Sequence, residues 1–234
     1  ILTRIEAEAT ASGAVLARIP EQAVQVPVKT TLGSLFKPPL LRKTFVAICV
    51  QVAINVVIYG FIVWVPVFLI KQGMALGSSL GYTTLMALGG PAGALLGVWL
   101  ADKVGRKNGL IAVSLIAAVI GWLYSHSASI ELATSLGFVL FTLTYLMVAL
   151  GVATYVPELF PTENRMRGNG VANVAGRVAG IVAPQAIVAM YAFGGIKDVL
   201  LIIIGTLLVL VVVLAAFGVE TNQLSLEAIS RKKR

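Results

Sequence analysis

Long apolar runs alternate along the chain with short clusters of charge, and six of the runs predict helices that cross a membrane. They lie at about Phe45 to Leu69, Ser79 to Leu100, Gly109 to Tyr124, Ala133 to Val156, Gly170 to Tyr191 and Val199 to Gly218. A helix needs about 20 apolar residues to cross a hydrocarbon core of roughly 30 Å. Each run is about that long, the third being the shortest. Ile1 to Thr44 carries Glu6, Glu8, Glu21, several prolines and scattered Lys and Arg, with a weak helical pattern near its start. The pattern predicts a linker over 1–44, a six-helix domain over 45–219 and a basic tail over 220–234.

Composition agrees with an all-α membrane protein. Of the 234 residues, 58% are apolar and 12% charged, against about a quarter charged in soluble domains. The net charge of +8 comes with no aromatic-interleaved basic stripe, so a nucleic-acid partner is not expected. Position explains the charge better. Fifteen Lys and Arg fall in the linker, the second and fourth connections and the tail, while the other side receives only Lys71 and Lys197. The positive-inside rule therefore puts linker and tail in the cytoplasm. Cys49 is the one cysteine, which excludes an intramolecular disulfide and a cysteine-based metal site. The chain opens at Ile1 without Met, and an amino-terminal part is expected to precede it.

Glycines recur inside the runs, in Leu88-Gly89-Gly90-Pro91-Ala92-Gly93 and at Gly176 and Gly180. Small residues let helix backbones approach, so these positions predict tight packing. Pro66, Pro91 and Pro184 also fall within runs, and a missing backbone donor there predicts bending.

Three stretches resemble a known family. Gly97-Val98-Trp99-Leu100-Ala101-Asp102-Lys103-Val104-Gly105-Arg106-Lys107 resembles the cytoplasmic loop signature of the major facilitator superfamily, in which an acid ends one helix, a glycine turns the chain and basic residues open the next. Pro157-Glu158-Leu159-Phe160-Pro161-Thr162-Glu163-Asn164-Arg165-Met166-Arg167-Gly168 resembles the loop after the tenth helix of its sugar-porter and organic-acid-porter branches. Glu220-Thr221-Asn222-Gln223-Leu224-Ser225-Leu226-Glu227 is similar to the end of those porters. The resemblance covers nearly the whole chain. It implies the carboxy-terminal half of a bundle, helices seven to twelve, partnered by a missing amino-terminal six-helix half. It further implies a cytoplasmic charge network of Asp102, Arg106, Lys107, Glu158 and Arg165 that holds the outward-facing state, against the alternative of ordinary loop charge.

Polar residues inside the runs are the candidate substrate site. Gln51, Asn55 and Tyr59 stand at i, i+4 and i+8 and so share one helix face. Asn169, Asn173 and Arg177 repeat the spacing in the fifth run. Counted from Gly168, Arg177 lies about 13 Å into its helix at about 1.5 Å per residue. Arginine near a bilayer midplane is a functional hypothesis by default, and its planar fork suits a carboxylate. Interhelical structure, or for Arg177 an acid of the other half, stays open as the alternative role. The Asn55 to Tyr59 spacing resembles the seventh helix of sugar porters. Gly176-Arg177-Val178-Ala179-Gly180-Ile181-Val182-Ala183-Pro184 resembles the eleventh helix of aromatic-acid and related metabolite porters.

The resulting expectation is a secondary transporter of the cell membrane, the bacterial inner membrane fitting best, that carries a small organic or aromatic acid with protons by alternating access. A sugar or polyol porter and a non-transporting receptor-like relative are the alternatives. The runs hold no His, Asp or Glu, so neither an enzyme, a cofactor nor a metal site is expected. Proton coupling follows from the resemblance alone, and its acid would belong to the missing half. His126, in the Ser125 to Leu132 connection, reads as a solvated loop residue.

Overall fold

The computed structural model describes residue 11 and residues 31–62, 64–71, 73–127 and 129–221, without the side chains of residues 71, 102, 196 and 197. Most of the expected linker and all of the tail beyond Thr221 lie outside the described residues. The chain divides into two compact units, Ile1–Thr30 and Thr31–Arg234, and the spans described below lie in the second. No described residue is in a strand.

Among the described residues, six helices are long and apolar enough to cross a membrane: Leu40–Ile70, Leu76–Ala101, Arg106–Ser125, Ile130–Glu158, Thr162–Gly194 and Asp198–Phe217. The fifth begins eight residues before the expected Gly170. Its first turns carry Asn164 with Glu163, Arg165 and Arg167, charged residues that form helix readily but have no place in hydrocarbon. At about 1.5 Å per residue, its 33 residues reach roughly 50 Å, so both ends project beyond the apolar core. Arg177 sits near the middle of this helix.

The spans pack chiefly in pairs, the first with the fifth, the second with the fourth and the third with the sixth. The first span is the most enclosed, with 53% of its apolar window buried. Glycine sets the closest approach. Gly89, Gly93 and Gly97 recur every four residues along one face of the second span, and a Cβ on Gly89 or Gly93 would strike the carbonyls of Phe138 or Thr142 in the fourth. Where these spans cross, backbone meets backbone, as the glycine spacing predicts. Elsewhere large side chains fill the interior. Phe61 packs edge-on against Tyr124 and Phe141, ring centroids 5.5 and 5.8 Å away.

Two spans are not regular throughout. The first widens into a π-helical turn at Ile58–Ile62 and the fourth at Val148–Tyr155. Proline follows each turn: Pro66 is the third residue of the helix resumed at Trp64, and Pro157 comes two residues after Tyr155. A ring without an N–H fits a first turn, where its donor would be idle, and the wider turn before it absorbs the mismatch. Pro91 likewise opens a helix, after a break at Leu88, whereas Pro184 lies within an unbroken one.

Glycine packing generates a direct test. Gly93→Ala forces a Cβ into backbone and should destabilise the bundle by about 1–3 kcal/mol, lowering its thermal midpoint in detergent. Gly81→Ala, whose Cβ meets open space, should leave the midpoint unchanged or raise it, since alanine favours helix by about 0.5–1 kcal/mol. Equal midpoints for the two variants would contradict the close crossing.

Candidate functional site

Two places gather polar side chains. The first is a cavity of about 140 Å³ between the first, fourth and fifth spans, lined by Gln51, Ile54, Asn55, Ile58, Tyr59, Val148, Val152, Asn173 and Arg177. All five residues expected from the sequence to meet substrate are in it, while Asn169, one turn before Asn173, is not. Its geometry begins with two glycines. A Cβ on Gly176 would lie 2.7 Å from Asn55 Nδ2, and one on Gly180 would lie 2.7 Å from the Tyr59 ring. Only hydrogen at these positions lets the fifth span settle against the polar face of the first. Arg177, between the two glycines in sequence, then extends to donate from Nη1 to the Tyr59 hydroxyl at 3.3 Å.

Not every polar atom of the cavity is engaged. Asn55 Nδ2 donates to the Gln51 backbone carbonyl at 2.8 Å. The Gln51 side chain is 1% exposed, and its Nε2 is buried without a hydrogen-bond partner. Ile54, Ile58, Val148 and Val152 supply an aliphatic wall, of which Ile58, Val148 and Val152 come from the two π-helical turns. Arg177 itself is exposed on the open side, at a depth where the surroundings are protein, cavity water or lipid. A guanidinium cannot be left to lipid at that depth without a cost of about 3 kcal/mol or more.

The second place is the end of the bundle where the first span starts and the sixth stops. Arg106 Nε lies 3.3 Å from the Glu158 carboxylate and its Nη1 donates to the Ala101 carbonyl at 3.0 Å. Thr221 Oγ1 donates to Glu158 Oε2 at 2.5 Å. Glu220 accepts from the backbone N–H groups of Arg106 at 2.8 Å, Lys107 at 3.3 Å and Asn108 at 3.2 Å. These are donors that the start of a helix leaves unpaired, and a carboxylate there also meets the positive end of the helix dipole. Gly105 makes the cap possible: its φ is +84°, a region unfavourable to other residues, and a Cβ would lie 2.9 Å from Glu220 Oε2. On the opposite flank Arg42 donates to the Phe217 and Ala216 carbonyls at 2.9 and 3.1 Å, closing the end of the sixth span.

Of the charge network expected here, Arg106 and Glu158 are joined, and Lys107 enters through its backbone. The Asp102 side chain lies outside the described ones. Arg165 stands apart, its Nε and Nη2 buried without a hydrogen-bond partner. Sequence reasoning gave no role to Glu220, Thr221 or Tyr155, whose hydroxyl accepts from Val219 N at 3.2 Å. The signal for the first two was the Glu-Thr pair noted in the tail. His126 is exposed, with its ring against Trp122 at 4.6 Å between centroids.

Comparison with known proteins agrees with this architecture. A family model described as Major Facilitator Superfamily matches residues 6–184 and 77–232. The putative metabolite transport protein YdjK of Escherichia coli strain K12 is 34% identical over 88% of this chain and 45% of its own length. The niacin transporter NiaP of Acinetobacter baylyi is 31% identical over 73% of this chain and 39% of its own. An arabinose-proton symporter of Bacillus subtilis is 28% identical over 74% and 38%. The chain spans about half the length of the curated relatives it matches.

The cap predicts a graded response. Glu220→Ala leaves three helix-starting N–H groups without their carboxylate and should cost about 0.5–2 kcal/mol, as loss of a helix cap does. Glu220→Gln, which keeps an acceptor, should cost less. Thermal unfolding in detergent measures both, and an unchanged midpoint for the alanine variant would contradict the contact.

Proposed function

The chain belongs to the major facilitator superfamily and is a multi-pass membrane protein, and on that premise we propose that it supplies one six-helix half of a secondary carrier for a small organic acid. Substrate sits near the membrane midplane, between this half and a second six-helix half, and the two rock about it in alternating access. The observation that carries the reading is Arg177, near the middle of a 33-residue helix and facing an open cavity. A carboxylate accepting both arms of its fork offsets the desolvation of the guanidinium with charge-assisted hydrogen bonds. Tyr59, on one of those arms, fixes the direction of the fork. The relative named for niacin, an aromatic carboxylic acid, supports the acid reading, and the relative named for arabinose supports a sugar as the second reading.

Coupling to protons completes the proposal. Asp and Glu of the described residues stand at or beyond the ends of the spans, as Glu131, Glu158, Glu163 and Asp198 do. The proton-binding acid is therefore assigned to the second half. The Arg106, Glu158 and Glu220 cluster acts as a latch at the cytoplasmic end, holding the outward-facing state. The fifteen-to-two division of Lys and Arg supports that orientation, with linker and tail in the cytoplasm, and a bacterial inner membrane fits it.

Arg177 variants of the complete carrier test the substrate role. Arg177→Lys keeps the charge without the planar fork and should weaken binding of a carboxylate by about 1–3 kcal/mol. Arg177→Ala should weaken acids far more than their neutral amides, as measured by competition for counterflow in proteoliposomes. A well-folded alanine variant that binds an acid with full affinity refutes the role. Orientation has its own test: cysteines placed in the 102–107 loop and in the tail should react with an impermeant maleimide only from the cytoplasmic side. Labelling of both from outside reverses the topology.

A further inference from the structure

The polar face of the first span holds one free hydrogen and one free lone pair. Arginine carries donors and no acceptor, so in the 3.3 Å contact of Arg177 Nη1 with Tyr59 the hydroxyl oxygen accepts. Its own O–H is left to donate, and among the described residues no group accepts from it. One turn away on the same face, Asn55 Nδ2 donates to the Gln51 carbonyl at 2.8 Å. Only the nitrogen of an amide can donate to a carbonyl, so this contact fixes which way the Asn55 amide points.

Asn55 Oδ1 is thereby left as an acceptor, and among the described residues no group donates to it. Gln51 Nε2 is sealed from solvent, whereas Asn55 Oδ1 is an open atom of a half-buried side chain that lines the cavity. Asn55 and Tyr59 also border one glycine. A Cβ on Gly180 would lie 2.7 Å from the Tyr59 ring and 3.6 Å from Asn55 Oδ1, so the two side chains stand beside one another along the seam with the fifth span.

The three groups ask for different partners. Arg177 and the Tyr59 O–H both supply hydrogen, which suits a carboxylate, whose oxygens only accept. Asn55 Oδ1 supplies a lone pair, which a carboxylate cannot use. A ligand that matches the whole face carries an anion and, apart from it, a hydrogen to give. We propose that the substrate is a carboxylate bearing a separate O–H or N–H group, and that Asn55 Oδ1 accepts from that group while Arg177 and Tyr59 hold the carboxylate. This rests on the reading that Arg177 binds a carboxylate in this cavity, and it adds the contact by which one acid is told from another. An acid without the donor strips water from Asn55 Oδ1 and leaves it unpaired, and a site built around a polar group discriminates against a ligand lacking its complement.

Amino and methyl groups are close in size and differ in the hydrogens they can give, so 3- and 4-aminobenzoate set against 3- and 4-methylbenzoate isolate the donor. In calorimetric titrations of the complete carrier, at least one aminobenzoate should bind about tenfold more tightly than its methyl counterpart, the size of one buried hydrogen bond. Asn55→Ala and Asn55→Val both remove the acceptor and should bring that ratio to about one. Tyr59→Phe removes the hydroxyl and keeps the ring against Gly180, so it should weaken amino and methyl acids alike and leave the ratio in place. A wild-type ratio near one overturns the inference. So does a ratio that survives both Asn55 variants, which marks an amide serving the helix contact alone, or one that is lost in Tyr59→Phe, which moves the donor's partner to Tyr59. None of these outcomes bears on Arg177. If Arg177→Ala binds the methylbenzoates as well as the wild type does, or if none of these acids binds the wild type, the carboxylate reading falls and takes this inference with it.

Discussion

A guanidinium halfway along a membrane-spanning helix is the constraint on which the rest of the site depends. Lipid cannot accommodate it cheaply, and the apolar residues around it in sequence offer no hydrogen bond. The fold meets the requirement by bringing a second helix close. Gly176 and Gly180 remove the side chains that would hold the fifth span away from the first, and the polar face of the first span then lines a cavity with Arg177. Tyr59 satisfies one arm of the fork, and Arg177 as a whole is exposed. Backbone spacing, side-chain chemistry and the place where a ligand fits thus follow from one close helix crossing.

The same logic runs in reverse at the end of the bundle. There the unpaired groups belong to backbone, at the start of the third span and the end of the sixth, and charged side chains come to them. Glu220 covers the N–H groups of Arg106 to Asn108, and Arg42 covers the carbonyls of Ala216 and Phe217. Thr221 and Arg106 then meet on Glu158. The cluster ties the chain after the sixth span to the starts of the third and the end of the fourth, so a movement of any one of these is felt by the others. Tyr155, where the π-helical turn of the fourth span ends, joins the same end of the bundle through its hydroxyl, which accepts from Val219 N.

Legibility in the sequence divides along physical lines. The six spans were readable because about 20 uninterrupted apolar residues have few other uses, although the polar first turns of the fifth helix hid its true start at Thr162. The rows Gln51, Asn55, Tyr59 and Asn173, Arg177 were readable because a polar residue every fourth position in an apolar helix marks one face. Ile54, Val148 and Val152 were not, since an aliphatic side chain facing a cavity looks the same in sequence as one facing lipid. Nor was the Glu220 cap, whose partners lie 112 to 114 residues away and are backbone groups that every residue possesses. The π-helical turns left only indirect traces in Pro66 and Pro157.

A ligand-bound structure of the complete carrier, determined by cryo-electron microscopy with a one-ring acid, tests the central claim most directly. The account predicts the carboxylate within hydrogen-bonding distance of the Arg177 guanidinium, beside Tyr59, with the ring against Ile54, Ile58, Val148 and Val152. An Arg177 paired with an acidic side chain of the other half, and the ligand bound away from it, would contradict the account.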